Sequence, residues 1–91
     1  MMRRSEAETL ALKVLAFLAR DADVLARFLA LSGLEIEDLR ARAADPELLA
    51  AVVDFILADD ALLTAFAEEE EFDSGVVHAA RRALPGAAAE N

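Results

Sequence analysis

Apolar residues recur along the chain at the spacing of a helix face. After residue 9 they stand three and four positions apart, a pattern that predicts an amphipathic helix; they are Leu10, Val14, Phe17 and Leu18, with Leu12 and Leu15 widening the face. Ser5 and Glu8 have the spacing of a capping box, which predicts that this helix begins near Glu6. No segment alternates apolar and polar residues as a half-buried strand does. The pattern predicts an all-α fold.

Two residues delimit a second helix. Asp21 is a favourable N-cap, and Gly33 stands where a helix-ending glycine is expected, followed by the apolar Leu34. The buried face of this helix is predicted to hold Val24, Leu25, Phe28, Leu29 and Leu31. A short third helix is predicted over about residues 36–43, anchored by Ile36 and Leu39.

Three further helices follow in the second half of the chain. Asp45 and Pro46 predict the start of a fourth helix, which is apolar around most of its circumference and is therefore expected to be the most buried element. Asp59 predicts the start of a fifth helix and Ser74 the start of a sixth, which ends before the Pro85-Gly86 pair. The apolar residues of the last two helices are Leu62, Leu63, Phe66, Val76, Val77 and Leu84.

The chain resembles itself at an offset of 38 residues. Residues 10–43 align without a gap on residues 48–81, and the identical positions mark helix faces and one helix start; they are Leu10/Leu48, Val14/Val52, Phe17/Phe55, Asp21/Asp59, Leu25/Leu63, Phe28/Phe66 and Ala41/Ala79. We predict a single compact domain over residues 5–84, built from two three-helix units, 6–44 and 45–84. The units are expected to pack with pseudo-twofold symmetry around the first and fourth helices, with flexible termini at 1–4 and 85–91.

Charge and composition narrow the class of protein. The 91 residues carry a net charge of −9 and no cysteine, and residues 45–73 hold ten acids and no base. Such a surface repels a phosphate backbone, so direct nucleic acid binding is disfavoured. No uncharged stretch exceeds seven residues, so we expect no membrane span and no signal peptide. A cytoplasmic protein is the expectation.

One acidic run is the candidate interaction patch. Glu68, Glu69, Glu70 and Glu71, with Asp73, lie at the predicted end of the fifth helix, where the helix dipole disfavours negative charge. In the first unit the equivalent positions hold a well-formed glycine stop. Two interpretations are open. The run arose by sequence drift or serves solubility, without a binding role, or it forms a surface for a basic protein partner.

Catalytic and metal-binding groups are sparse. Ser74 and His78 are one helical turn apart, but no strained nucleophile elbow accompanies them, so Ser74 is interpreted as a cap. His78 is the only imidazole, and the acidic run lacks the ligand spacing of a calcium loop. We therefore predict no catalytic residues, no metal site and no cofactor.

Five segments resemble a family of short, uncharacterised alphaproteobacterial proteins catalogued as a domain of unknown function. They are LAFLARD (15–21), RFLALSGL (27–34), DLRAR (38–42), VDFILADD (53–60) and LLTAF (62–66). The resemblance covers about residues 8–84 and implies a small cytoplasmic helical protein. It carries no catalytic motif, and the family is less acidic near residues 68–73.

These observations favour a non-enzymatic protein that acts through protein–protein contacts, with a second copy or a basic protein as its partner. One alternative is a nucleic-acid-associated regulator built on a helix-turn-helix-like element at residues 28–42. The second helix of this element begins with the acidic residues Glu35, Glu37 and Asp38. In a DNA-binding helix-turn-helix these positions contact bases and phosphates, so the acids disfavour direct DNA binding. Another alternative is a small-molecule carrier with a pocket between the two units.

Overall fold

Six α-helices make up residues 2–86, the part of the chain that this computed structural model describes, and no strand occurs there. The all-α prediction is confirmed. The helices are α1 (Arg4–Ala19), α2 (Ala22–Ser32), α3 (Ile36–Ala41), α4 (Pro46–Leu57), α5 (Asp60–Glu70) and α6 (Ser74–Arg82).

Three aspartates, Asp21, Asp45 and Asp59, are the N-caps of α2, α4 and α5, as the sequence predicts. A side-chain oxygen of each one accepts backbone N–H groups that would otherwise have no partner in the first turn. The bonds run from Asp23 and Val24 to Asp21 (3.0 and 3.3 Å), from Glu47 to Asp45 (2.9 Å) and from Leu62 to Asp59 (3.1 Å). Capping is local in sequence, so it could be predicted without knowledge of the packing.

A neighbouring arginine adds to two of these caps. The guanidinium of Arg42 bonds to Asp45 and lowers the pKa of its carboxyl group, and the N–H of Glu47 acts in the same direction. The N–H of Leu62 lowers the pKa of Asp59, and Arg27 of α2, whose Nη2 lies 3.2 Å from that carboxylate, lowers it further. The Asp59 cap therefore also joins α2 to the start of α5.

The Asp21 cap has no ion pair with a base of residues 2–86, so it isolates the contribution of capping. We expect Asp21→Ala to lower the free energy of unfolding by about 1 kcal/mol, because two N–H groups lose their acceptor. Asp21→Asn should be nearly neutral, since asparagine caps equally well. Urea denaturation followed by circular dichroism measures both values; equal losses in the two variants would contradict the capping role.

Two predicted helix starts were wrong. Helix α1 begins two residues before Glu6, because the Glu6 carboxylate accepts the backbone N–H of Arg3 (2.9 Å) and so closes the first turn there. Helix α6 is capped by Asp73, which accepts the N–H of Gly75 (3.0 Å), and Ser74 is its first helical residue. In each case a carboxylate outside the predicted cap supplies the acceptor.

The core lies between α1 and α4, which form the most extensive contact in the fold, while α6 packs on both. Helix α4 contributes the largest set of buried residues, as its apolar circumference predicts: Leu48, Leu49, Ala50, Val52, Val53 and Ile56. No polar or charged residue is buried anywhere between residues 2 and 86. The core therefore holds the helices together by apolar contact alone.

Three large apolar residues lie outside this core, contrary to the predicted faces. Leu12 is 43% exposed, Ile36 40% and Leu31 75%. Leu31 belongs to the last turn of α2, and α3, which follows, makes no extensive contact with any other helix in the described part of the chain. Helix α3 ends at Ala41, before the predicted 43, and only its Leu39 is buried.

Aromatic contacts join the two units in matching ways. Phe17 of α1 packs edge-on against Phe66 of α5, with ring centroids 5.4 Å apart and an interplanar angle of 70°. The repeat maps this pair onto Phe55 of α4 and Phe28 of α2, whose rings are also 5.4 Å apart, at 75°. Each half of the chain thus supplies one aromatic residue to each of the two contacts.

The third helices do not follow this relation. Helix α6 packs against α1, α4 and α5, whereas its counterpart α3 has no comparable contact within residues 2–86. Helix α3 has six residues and α6 has nine, so α3 presents fewer apolar positions to the core. The pseudo-twofold symmetry of whole units stays a prediction.

Residues near both predicted ends of the domain contact the rest of the fold. Arg4 is already helical, and Met2 packs against the core. Leu84 is buried beyond the end of α6. The predicted flexibility of 1–4 and 85–91 remains a prediction, and residues 1 and 87–91 lie outside the described residues. None of the described helices has the length and apolarity needed to cross a bilayer.

Candidate functional site

Two residues of the acidic run, Glu69 and Glu70, pair with bases in or next to α1. Glu69 receives a hydrogen bond of 2.6 Å from Nη2 of Arg20, and Oε1 of Glu70 lies 3.7 Å from Nζ of Lys13. The bond to Glu69 raises the pKa of Arg20. Lys13 of α1 and Arg20, the residue that follows α1, therefore offset part of the negative charge at the end of α5, where the helix dipole disfavours it.

The same two bases lie over aromatic rings. The guanidinium carbon of Arg20 is 5.1 Å from the Phe17 ring centroid, and Nζ of Lys13 is 6.0 Å from that of Phe72. Ring faces carry partial negative charge and attract cations at such distances. Lys13 thus joins α1 to the end of α5 through both a carboxylate and a ring, whereas Arg20 stacks on Phe17 of α1 and reaches α5 through Glu69.

Glu71 ends α5 in the left-handed conformation, with φ of 61°. Its N–H bonds to the carbonyl of Glu68 (3.3 Å), and the N–H of Phe72 bonds to the carbonyl of Ala67 (2.8 Å), the two bonds of a Schellman motif. The apolar contact of that motif is present too, since the Phe66 and Phe72 rings are 6.2 Å apart. The end of α5 is therefore a regular helix stop.

The repeat aligns Glu71 with Gly33, and both residues are left-handed helix ends, with φ of 61° and 75°. The second unit therefore keeps the backbone geometry of the first while lacking its glycine. A side chain at such φ costs roughly 1 kcal/mol relative to glycine. The two copies differ here in residue type, and the fold tolerates the strain.

We expect Glu71→Gly to raise the free energy of unfolding by about 1 kcal/mol, because glycine adopts positive φ without steric cost and one repelling carboxylate is lost. Glu68→Gly is the opposite control, since it places glycine inside the helix and should destabilise. Thermal unfolding of the two variants beside the wild type measures both shifts. A loss of stability in Glu71→Gly would contradict the strain at this position.

The remaining acids of the predicted patch do not form one free surface. Glu68, Glu71 and Asp73 are exposed and have no base of residues 2–86 within 4.0 Å, but Asp73 is occupied as the cap of α6. Glu69 and Glu70 are paired with α1. A patch for a basic partner stays a prediction, and at most Glu68 and Glu71 are unengaged within the described chain.

The other groups considered for chemistry are dispersed. Ser74 and His78 are both exposed on α6, and no hydrogen bond joins their side chains. Among residues 2–86, no group of three or more histidine, cysteine or acidic side chains is placed to hold a metal ion. These residues provide no observed arrangement on which to base a reaction.

The helix-turn-helix-like element is present only as a short turn. Gly33 ends α2, and Glu35 and Asp38 close the start of α3 through a bond of 2.8 Å from the Glu35 N–H to the Asp38 carboxylate. Arg42, one of the bases after this start, is paired with Asp45 at 3.0 Å. The first turn of α3 therefore presents acids where a DNA-reading helix presents contacts to bases and phosphates.

An open groove of about 730 Å³ lies between α1 and α6. Its apolar floor consists of Met2, Leu10, Phe72, Val76 and Ala79. Leu10 is buried and the others are half-buried, so the floor is partly accessible to solvent. The groove lies along the two helices and continues past Arg82 to Ala83.

Charged side chains stand at both ends of this α1–α6 groove. Glu6 and Lys13 line it from α1, and Arg82 of α6 and Asp73, the cap of α6, line the other side. All four side chains belong to exposed residues. The rim thus carries two acids and two bases, of which Lys13 also faces Glu70 of α5 at 3.7 Å.

Sequence reasoning missed this groove. Its α1 side combines Met2, Glu6, Thr9, Leu10 and Lys13, a mixture of polar and apolar residues that gives no clear stripe. On α6 a weak signal existed, because Gly75, Ala79 and Ala83 recur every fourth residue and lie on one helix face. Only the packing of α6 beside α1 joins these positions into one surface.

The comparison with known families yields one match. A family model described as "Protein of unknown function (DUF3572)" matches residues 4–87, almost the whole chain. No curated protein and no solved structure matches it. The predicted resemblance to a domain of unknown function is confirmed over nearly the expected range, and an alphaproteobacterial origin stays a prediction.

Proposed function

Since the chain belongs to the DUF3572 family of proteins of unknown function, we propose its function from its own surface. The protein acts without catalysis, by holding a helix of another polypeptide in the α1–α6 groove. The observation that carries this proposal is the apolar floor of the groove, open to solvent between two helices. Exposed apolar surface of this kind is typical of protein-binding sites.

The shape of the groove favours a helical ligand. Its lining residues recur every three or four positions along α6, from Gly75 through Ala79 to Arg82, so the floor is a trough parallel to that helix. Side-chain ridges of one helix pack into such grooves between others. An amphipathic helix binds this type of surface with its apolar face inward.

The same features weigh against the other candidate functions. Sites for small molecules bury most of their ligand, whereas this groove is open along its length. A nucleic acid would meet a surface with excess negative charge and an acidic first turn of α3. A polypeptide helix is the ligand class that fits both the open shape of the groove and the mixed charges on its rim.

Site-specific photo-crosslinking in the native host tests the proposal. A photoreactive amino acid replaces Ala79 on the groove floor, and in a matched control it replaces Ala65, an exposed alanine of α5 that does not line the groove. We expect ultraviolet light to produce a discrete protein adduct at position 79 and none at 65. Mass spectrometry then identifies the polypeptide.

Two results would contradict the proposed function. One is the absence of any adduct at position 79 in cells that produce the protein normally. The other is an equal pattern of adducts at both positions, which would indicate unspecific contact. An adduct with a different protein and an adduct with a second copy would both support a helix-binding groove.

A further inference from the structure

We propose that the helix bound in the α1–α6 groove is α3 of a second copy of this chain. This inference rests on the proposed function above and names its partner. The contact joins two surfaces that the described chain leaves uncovered, the groove and the corner between α2 and α3. The α2–α3 corner consists of Leu31 in the last turn of α2, Ile36 at the start of α3, and the exposed face of α3.

The α2–α3 corner is an apolar surface without a cover inside the described chain. Leu31 is 75% exposed and Ile36 40%, and they are two of the three exposed large apolar residues between residues 2 and 86. Helix α3 makes no extensive contact with another helix there, and it buries only Leu39. Because the burial of apolar surface drives most protein association, contact with a second copy stabilises this corner by removing Leu31 and Ile36 from water.

One end of the groove has unpaired positive charge. Helices α1 and α6 run in opposite directions, so Met2, which precedes α1, lies beside Arg82 in the last turn of α6. Neither Arg82 nor Arg3, the neighbour of Met2 in the chain, has an acid within 4.0 Å among residues 2–86. The acid on this part of the rim, Glu6, accepts the N–H of Arg3 at 2.9 Å. We call this part of the groove its basic end.

The opposite end of the groove carries excess negative charge. Its base, Lys13, lies over the Phe72 ring and is already paired with Glu70 at 3.7 Å. Glu71, the neighbour of Phe72 in the chain, is exposed and has no base within 4.0 Å among the described residues. Asp73 keeps its negative charge while it caps α6. We call this part of the groove its acidic end.

Helix α3 has the order of charges that fits these two ends. Glu35 and Glu37 are exposed at its start, and Arg40 is exposed in its last turn. None of the three has an ion pair within residues 2–86. When α3 begins at the basic end of the groove, its acids lie beside Arg82 and its arginine lies beside Glu71. The reversed orientation would place like charges together at both ends.

The spacing of the charges agrees with this orientation. Glu35 and Arg40 are about 8 Å apart along α3, and Asp73 and Arg82, which mark the two ends of the groove, are about 13 Å apart along α6. The long arginine side chains span the difference. In the bound position α3 runs parallel to α1 and antiparallel to α6, with Ile36 on the apolar floor.

The net charge of −9 does not prevent this contact. Residues 31–44, which contain the α2–α3 corner, hold three acids and two bases, so the surface that enters the groove is nearly neutral. Charges in solution are screened over roughly 8 Å at physiological ionic strength, so the acids farther away contribute little. The corner is therefore a part of this acidic chain that approaches a second copy with little repulsion.

Sedimentation velocity of the purified full chain over a wide concentration range tests the self-association. Leu31→Glu should raise the Kd by more than about tenfold, because the leucine leaves water in the contact. Leu12→Glu makes the same change at another exposed leucine, on the face of α1 outside both surfaces, and should leave the Kd unchanged. Circular dichroism verifies that both variants remain folded.

Mixing two variants tests that the groove of one copy holds the corner of another. Ala79→Glu places an unpaired carboxylate on the groove floor and should raise the Kd by about a hundredfold, while its corner stays intact. The Leu31→Glu chain has the opposite defect. Each variant alone should be monomeric at concentrations where the equimolar mixture forms a one-to-one complex through the remaining intact pair of surfaces. No complex in the mixture overturns the pairing of groove with corner.

An exchange of charges tests the orientation of α3. Arg82→Glu and Glu37→Arg should each raise the Kd by about two- to tenfold, because each places like charges together at the basic end. The chain that carries both substitutions should recover most of the wild-type Kd. Losses that simply add in the double variant contradict this orientation.

Photo-crosslinking of the purified chain from position 79 shows which segment lies in the groove. Trypsin cleaves after Arg27 and Arg40, so the corner is released as the peptide 28–40. We expect this peptide in the adduct, and a mixture of ordinary and isotope-labelled chains shows that the adduct joins two copies. An adduct with any other segment of the second copy overturns the assignment to α3.

The proposed function and this inference fail separately. A wild-type chain that stays monomeric at every concentration overturns the contact with a second copy, as does self-association that Leu31→Glu leaves unchanged. If the purified chain is monomeric but position 79 crosslinks to a different protein in cells, the groove binds a helix and only the identity of that helix is wrong. If position 79 gives no adduct and the chain is monomeric, both proposals fail.

Discussion

Replacing Phe66 with alanine is expected to lower the free energy of unfolding by about 3–5 kcal/mol. The Phe66 ring is fully buried, and it packs against Phe17 of α1 and against Phe72, which follows α5. Its removal leaves a cavity at the place where the two units exchange aromatic contacts. Because a domain of this size is stable by only about 5–15 kcal/mol, the variant should have a markedly lower Tm or fail to fold.

Phe17→Ala is the matched control for this prediction. It removes the same ring from the same aromatic pair, but Phe17 is half-buried, so less apolar surface is lost. Urea denaturation should therefore give a smaller loss for Phe17→Ala than for Phe66→Ala. Equal losses would show that the edge-on contact, and not burial, dominates the contribution of Phe66.

Val52→Asp is expected to unfold the protein at neutral pH. Val52 is fully buried in α4, and no polar or charged residue is buried within residues 2–86 to receive the new carboxylate. An unpaired charge in an apolar interior costs several kcal/mol, which approaches the whole stability of a small domain. Far-UV circular dichroism should show the loss of helix.

Val52→Thr separates shape from charge at the same position. Threonine has nearly the volume of valine and places a single hydroxyl group in the core, so a folded protein with a smaller loss of stability is expected. The aspartate variant should regain helix as the pH falls, because the protonated carboxyl group carries no charge into the core. A Val52→Asp protein as stable as the wild type at neutral pH would contradict the central position of α4.

Helix starts were predictable where the capping side chain is next to the helix it caps. Asp21, Asp45 and Asp59 accept N–H groups two or three residues ahead, and each lies where the sequence placed it. The errors at α1 and α6 arose because other carboxylates, Glu6 and Asp73, were equally close in sequence. Local hydrogen bonds compete, and spacing alone does not rank them.

Burial was predictable for long helices and less so for short segments. Helix α4 is apolar around its axis and contributes the largest buried set, as expected. Leu31 and Ile36 fit the helical pattern equally well, yet they are exposed because no element packs over them. Periodicity shows which residues share a face, but it does not show whether another helix covers that face.

The candidate site was the part least accessible to sequence reasoning. The sequence predicts the acidic run as a candidate patch, but its pairing with Arg20 and Lys13 links residues that are 49 and 57 positions apart. The α1–α6 groove likewise joins the first and last helices of the chain. No local pattern carries such information.

The helical class, most helix starts, the internal repeat and the apolar composition of the core follow from the order of the residues, since each depends on near neighbours in the chain and on the period of the helix. Three features required the three-dimensional packing: which apolar faces are covered, which acids at the end of α5 are paired with bases, and how α6 lies beside α1 to form a groove. These features depend on distances between residues far apart in the chain, and those distances are set by the packing of all helices together.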